Sequence, residues 1–420
     1  MARITGVVLS PGRGGYFFDD QRAIKAGAKR DGFFYLGRPV TPGFSSVRMP
    51  SEAVSVMLRL DDGQTALGDC TAIQYSGAGG RYPVLNATEA SRLIGERIAP
   101  MLVGRELGRW RELAGEVEGI EVDGKAVHTA IRYGVSQALL DAVARSKHVL
   151  PCEVIAEEYG LELSPEPVRI FCQSGDDRYD NVDKMIMKEA DVLPHGLINN
   201  VPDKLGPRGE KLLEYVRWLR SRIIGKRASP RYAPELHIDV YGTPGLIFEN
   251  DPARIAAYIA TLGEAAEPFA LRIEGPLDAG ERLAQHEALA AVRRELKKLG
   301  SKVGIVADEW CNTMDDIRSL ADNGCVDMIQ IKTPVLGGIQ NSVEAVLHCR
   351  SAGVMAYLGG SCTETDVSAR MCVHAALATR PHQMLAKPGM GVDEGYSIVR
   401  NEMMRTVALL RARQSGGSGR

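Results

Sequence analysis

Three short apolar segments of this chain each run into a carboxylate at a nearly constant interval. Residues 235–239, 269–274 and 303–308 end in Asp239, Glu274 and Asp308, which stand 35 and 34 residues apart. A fourth apolar segment, 326–332, follows 24 residues later and carries Gln330 and Lys332 instead. A strand, a loop, a helix and a second loop take about that many residues, so the period is that of consecutive βα units. Strands that read as unbroken apolar runs belong to parallel sheets buried on both faces. When such units close into a barrel, the C-terminal ends of all strands open onto one face. Asp239, Glu274 and Asp308 are then expected to meet there, with Lys332 beside them. An acid at a strand end ordinarily caps the next helix or lies in a solvated loop. Three in successive units, followed by a strand-end lysine, are more than that reading explains.

Eight barrel strands can be placed. Residues 168–173 form the first and end in Gln173, and 191–199 hold a short second strand with His195 at its edge. The segments above are the third to sixth, 354–362 run into a glycine turn before Ser361 and Cys362, and 383–386 form the eighth with Leu385. Helical periodicity covers 212–224 and 282–299, the latter stopped by Gly300. A barrel takes about 250 residues, and the chain has 420. The remainder lies in front: a strand at 4–9, a hairpin at 54–70 turning on Gly63, a helix from Asn86 towards Ile98 with a capping-box start, and a helix over 129–147. We therefore expect an α+β capping domain over residues 1–160, a (β/α)8 barrel over 161–413 and a flexible tail from 414 to 420.

Gly12, Gly14 and Gly15 follow the first strand but lack the third glycine of a dinucleotide fingerprint, and aromatic residues follow them. They are expected to form a loop, either closing over a site or simply turning. Gln74 lies in a small-residue stretch and is read either as a surface amide or as reaching a site.

Composition removes whole classes of partner. Net charge is −2 with no basic run, which argues against nucleic acid. No apolar run approaches the roughly 18 residues that span a bilayer. The eight cysteines show no C-x-x-C pair and read as reduced thiols in a cytoplasmic protein.

Three carboxylates at one spot repel one another unless a cation sits among them, and an oxygen-only set favours Mg²⁺ or Mn²⁺ over Zn²⁺. Gln330 and Lys332 alternate on one strand and so point the same way. A mouth lined by amides, a histidine, a lysine and a divalent ion suits a small, multiply charged acid. The proton beside a carboxylate is very weakly acidic. A divalent ion can stabilise the charge left by its removal, and a neutral lysine can take it. The bland alternative pairs Lys332 with the acids in a salt bridge.

The chain resembles the enolase superfamily and, within it, the methylaspartate ammonia-lyase family. The resemblance spans everything but the tail. It is carried by Ile4 to Gly12, Gly68-Asp69-Cys70 with Gln74-Tyr75-Ser76-Gly77, Cys172-Gln173, Pro194-His195, His237 to Gly242, Ile273 to Pro276, Ala307 to Trp310, Gln330 to Pro334 and Gly359-Gly360-Ser361-Cys362. It implies that Asp239, Glu274 and Asp308 hold Mg²⁺, with Mn²⁺ as substitute, and that Lys332 takes the C3 proton of (2S,3S)-3-methylaspartate. It implies His195 on the opposite face, serving the other C3 epimer, and substrate contacts from Gln74, Gln173, Gln330, Ser361, Cys362 and Leu385. The product would be mesaconate, on a route of glutamate degradation. The resemblance further implies K⁺ activation and a homodimer. The family pattern carries threonine where this chain has Ser361, so the hydroxyl is kept and a methyl is lost. Two rivals stay open. Other superfamily members, such as muconate cycloisomerases, racemases and sugar-acid dehydratases, typically bring K-x-K on the second strand or a histidine on the seventh, and this chain has neither. A binding protein that kept the fold without catalysis is the other.

Overall fold

The computed structural model describes residues 2–416. Eight parallel strands close a barrel in chain order: Arg169–Phe171, Val192–His195, Glu235–Asp239, Leu271–Glu274, Gly304–Ala307, Met328–Ile331, Met355–Leu358 and Gln383–Leu385. Their order and identity match the sequence reading, including the two short strands. The architecture is a (β/α)8 barrel, as expected. Apolar side chains such as Ile170, Leu193, Ile238, Ile273, Ile305 and Ile329 are fully buried between the barrel wall and the surrounding helices. Phe171, Val192, Val306, Met328, Tyr357 and Leu385 form a separate cluster. With alternate side chains on each strand taking one side of the wall, this is the filling of the barrel interior, so the barrel is a packed core and not a channel.

The helices follow their sequence cues. Arg282–Lys298 begins where Glu281 accepts the Ala284 N–H and ends at Leu299, with Gly300 beyond in the left-handed conformation. Asn86 caps Ala87–Leu93 by accepting the Glu89 N–H, but no reciprocal bond from Glu89 completes the expected box. The helix does reach Ile98, through a widened π turn over Ile94–Ile98. The final helix is Asp393–Gly416, and residues 417–420 of the expected tail lie outside the described residues.

The first part of the chain carries an antiparallel sheet of Ile4–Asp19, Arg48–Leu60 and Thr65–Thr71, backed by the helix Thr129–Ser146. The hairpin is as expected. The first strand is not: it runs ten residues past Leu9 to Asp19, and the glycines at 12–15 lie inside it. The ladder slips between Arg13 and Phe17, which frees Gly14 and Gly15 from regular pairing. There the backbone lies against the barrel loops. The Gly15 N–H donates to the Glu364 carbonyl at 2.9 Å. A Cβ on Gly14 would strike the Thr363 carbonyl, and one on Gly15 the Pro388 ring. The glycines are needed for close passage, and the expectation of a loop or turn is corrected.

Candidate functional site

Asp239 and Glu274 close the third and fourth barrel strands as register partners. Asp308 stands one residue beyond the fifth strand and Lys332 one beyond the sixth. Parallel pairing therefore delivers all four to the same rim. One carboxylate oxygen from each acid lies within 4.8 Å of the others. All three acids are buried, and Glu274 is wholly so. Burial first, and the charges of Asp239 and Asp308 next, push the Glu274 carboxyl well above the ordinary carboxylate range. Asp308 is also raised by burial, with Lys332 opposing. Such a trio is fully ionised only beside a compensating positive charge.

Two basic side chains flank the trio from different sides. Lys332 Nζ makes a close ion pair with Asp308 Oδ1 and also donates to the Asp308 carbonyl at 3.3 Å. The salt bridge weighed from sequence is thus present. It also sets the amine at the edge of the acid cluster, within a cavity lined by Lys332, His195, Asp239 and Asp308. His195 ends the second strand in a left-handed backbone conformation, with Nε2 at 3.4 Å from Asp239 Oδ2 and 3.5 Å from the Tyr241 hydroxyl.

The remaining residues singled out from sequence line the same cavity: Gln74, Gln173, Gln330, Ser361, Cys362 and Leu385. Gln74 is not a surface amide. It is buried, and its backbone N–H donates to Ser361 Oγ at 3.1 Å. Ser361 also neighbours the Thr363 hydroxyl at 2.8 Å, so its oxygen is largely engaged by the protein. The Cys362 thiol faces Gln74 Oε1 at 3.5 Å, and burial raises it, so it stays protonated. Several buried polar atoms here have no partner: Gln173 Nε2, His195 Nδ1, Gln330 Oε1 and both Glu274 oxygens. Buried polar groups are nearly always satisfied, so a cluster of orphans in one cavity marks a place built for something that binds.

Sequence reasoning passed over several members. Tyr75, Arg81, Tyr241, Glu309, Tyr357 and Met390 also line the cavity. Although burial opposes it, Arg81 at 2.6 Å and then Lys332 hold the Glu309 carboxyl down at about 2. His237 is fully buried beneath the trio. Burial, then Arg272 and His195, drive its pKa well below the ordinary histidine value, so it is neutral. Gln383 Nε2 lies 2.8 Å from His237 Nδ1 and, being only a donor, leaves the ring proton on Nε2. That nitrogen sits 2.9 Å from Glu274 Oε2, off the line of a hydrogen bond. The cue was available: His237 stands two residues before Asp239 on one strand and must face the same side.

The comparisons agree with this geometry. The family model described as methylaspartate ammonia-lyase N-terminus matches residues 2–160, and its C-terminal counterpart matches 162–412. Methylaspartate ammonia-lyase 2 of Carboxydothermus hydrogenoformans is 56% identical over 98% of this chain and 99% of its own. The crystal structure of Citrobacter amalonaticus methylaspartate ammonia lyase containing (2S,3S)-3-methylaspartic acid superposes with a TM-score of 0.96 at 56% identity, covering 97% of this chain and 100% of that one. The Mg complex of β-methylaspartase from Clostridium tetanomorphum gives a TM-score of 0.94 at 54% identity, over 98% and 100% of the two chains. The chain belongs to the methylaspartate ammonia-lyase family.

Proposed function

We propose that this chain is a carbon–nitrogen lyase that removes ammonia from (2S,3S)-3-methylaspartate to give mesaconate, and adds ammonia to mesaconate in reverse. The observation that carries the reading is the amine of Lys332 set against the acid trio, in a cavity where Gln173 Nε2 and Gln330 Oε1 have no partner.

The residues fit a divalent cation. The donor set is three carboxylates with oxygens within 4.8 Å of one another, and neither Glu274 oxygen receives a hydrogen bond. Oxygen-only sets of this kind suit Mg²⁺, with Mn²⁺ as the natural substitute. Held by Asp239, Glu274 and Asp308, the ion supplies positive charge beside a substrate carboxylate, which makes the neighbouring C–H more acidic.

The protein's own groups do the rest. Lys332 Nζ, once neutral, accepts the C3 proton. The C3–H electron pair becomes the C2=C3 double bond, the C2–N bond breaks, and the protonated amino group, –NH₃⁺, leaves with the bonding pair as ammonia. Gln173 Nε2 is a free donor for a substrate carboxylate, while Gln330 and Cys362 line the cavity around it. Leu385 supplies the apolar wall on which a C3 methyl can rest. His195 exchanges the C3 proton of the opposite epimer, a role supported by its position on the Asp239 side of the trio.

The division at residue 160 into cap and barrel, the homodimer, K⁺ activation and a place in glutamate degradation rest on the family resemblance. A cytoplasmic setting rests on the eight cysteines, all buried and free. No helix among the described residues is long and apolar enough to cross a membrane.

The test is direct. The protein is incubated with (2S,3S)-3-methylaspartate and Mg²⁺, and absorbance of the conjugated diacid is followed. Turnover is expected; its absence, with turnover of a muconate or an acyl-amino acid instead, would sink the reading.

A further inference from the structure

Gln74 is held at both ends, and what holds it decides which end the cavity meets. Its Nε2 lies 2.8 Å from Asp19 Oδ2. Asp19 is itself gripped by Arg48, with Nε and Nη2 each 2.7 Å from one of its two oxygens. The pair is almost wholly buried, with side chains 6% and 2% exposed. The guanidinium is wrapped by aromatic rings, its carbon 4.4 Å from the Phe33 centroid, 5.0 Å from Tyr35 and 5.6 Å from Tyr16. It cannot easily turn away. An ionised carboxylate only accepts hydrogen bonds. The end of the Gln74 amide facing Asp19 must therefore be the NH₂, and the carbonyl oxygen must face the other way, toward Cys362 and the cavity.

This matters because, apart from the acids and Gln330 Oε1, other polar groups on the wall are of the opposite kind. Gln173 Nε2, Lys332 and His195 can all donate. Donors receive carboxylates; an acceptor receives an N–H. On the function proposed above, the substrate has one group rich in N–H donors, the amine at C2.

We propose that Asp19, locked by Arg48, is a positioning residue that fixes the Gln74 amide with its oxygen toward the cavity, so that this wall selects the amino group. The inference rests on the proposed function and deepens it. Asp19 touches no substrate and acts only through Gln74.

The experiment is Asp19→Ala, read in the direction of ammonia addition. Asp19 Oδ2 serves Arg48 Nη2 and Gln74 Nε2 together, so only loss of the carboxylate removes the acceptor that holds the Gln74 NH₂ away from the cavity. The Gln74 amide is then free to turn, and its oxygen no longer faces the cavity by constraint. We expect KM for ammonia to rise about fivefold or more while KM for mesaconate stays within about twofold, because a lost acceptor affects only the group it binds. In a Gln74→Ala background the same change should add nothing further to KM for ammonia. A common loss in both KM values, or an equal effect of D19A with and without Gln74, would overturn the inference. If D19A does not fold, the paired variant D19A/R48Q, which removes the buried cation with its partner, carries the same expectation. If neither folds, the pair serves the fold and not the amine site, and the inference is overturned. No turnover by the unmodified chain would overturn the proposed function as well; turnover without the split would overturn this inference alone.

Discussion

Two clusters of buried charge stand at the same end of the barrel and differ in one respect. In the first, Lys387 and Glu364 are wholly buried and fully satisfied. Lys387 Nζ donates to Glu364 Oε1 at 2.7 Å, to the Gly359 carbonyl at 2.8 Å and to Thr333 Oγ1 at 3.1 Å. Glu364 also receives the Tyr133 hydroxyl at 2.8 Å and the Ser361 N–H at 3.0 Å. Burial works against the Lys387 ammonium, but Cys372 and Glu364 keep it charged. In the second cluster, the acid trio and Lys332, both Glu274 oxygens and several surrounding amide atoms have no partner. Thr333 follows Lys332 in the chain, so the two clusters share a backbone. Charge and burial are common to both. What separates them is satisfaction: the completed cluster fixes the loop that carries Ser361 and Cys362, and the incomplete one is ready to bind.

If that distinction holds, changes at the two places have different signatures. The largest effect belongs to Lys332→Ala. It should lower kcat by about 10³-fold, in the range of general-base contributions, while Mg²⁺ binding measured by calorimetry persists. A near-normal kcat would remove Lys332 as the base.

Next comes Lys387→Met, which leaves Glu364 buried without its cation. We expect a loss of about 3–5 kcal/mol in denaturant unfolding, with the Mg²⁺ dependence of the remaining activity unchanged. A stability close to that of the unmodified chain would show that the completed cluster is not holding the fold.

Glu274→Gln should act with the opposite sign on stability. Without added metal it relieves a buried carboxyl of its like-charged neighbours, so the melting temperature should rise, by an amount equivalent to about 1–2 kcal/mol. The further rise that Mg²⁺ gives the unmodified protein should disappear, and activity with it. A fall in metal-free stability would erase the contrast.

The smallest effect is expected at Gln383→Leu, which frees the His237 tautomer beneath Glu274. The Mg²⁺ concentration for half-maximal activity should rise about tenfold, as for other groups that orient metal ligands, with kcat at saturating Mg²⁺ little altered. An unchanged metal requirement would reduce the His237–Gln383 contact to packing.

Much of the site was legible because it is written along strands. The acids recur with the βα period, and Gln330 and Lys332 share a face by alternation, so local pattern was enough. Gln74 was not legible. Its burial comes from Asp19 and Ser361, far away in sequence on either side. Glu364 and Lys387 flank a whole helix, Asp366–Thr379, and no spacing rule joins them. Gly14 and Gly15 misled for a physical reason. Glycine weakens a strand by itself and so reads as a break, but here the strand needs an absent side chain in order to pass. The sequence pattern records what each residue prefers alone; the cap's approach to the barrel belongs to neither part separately.

That narrow passage has a consequence for exchange between relatives. With Gly14 against Thr363 and Gly15 against Pro388, the first strand and the loops after the seventh and eighth barrel strands are shaped to one another. A hybrid that borrows its front portion from one homologue and its barrel from another inherits a mismatch unless all three stretches travel together. Shuffling libraries built on this chain should therefore keep residues 10–19, 359–364 and 386–390 from a single parent.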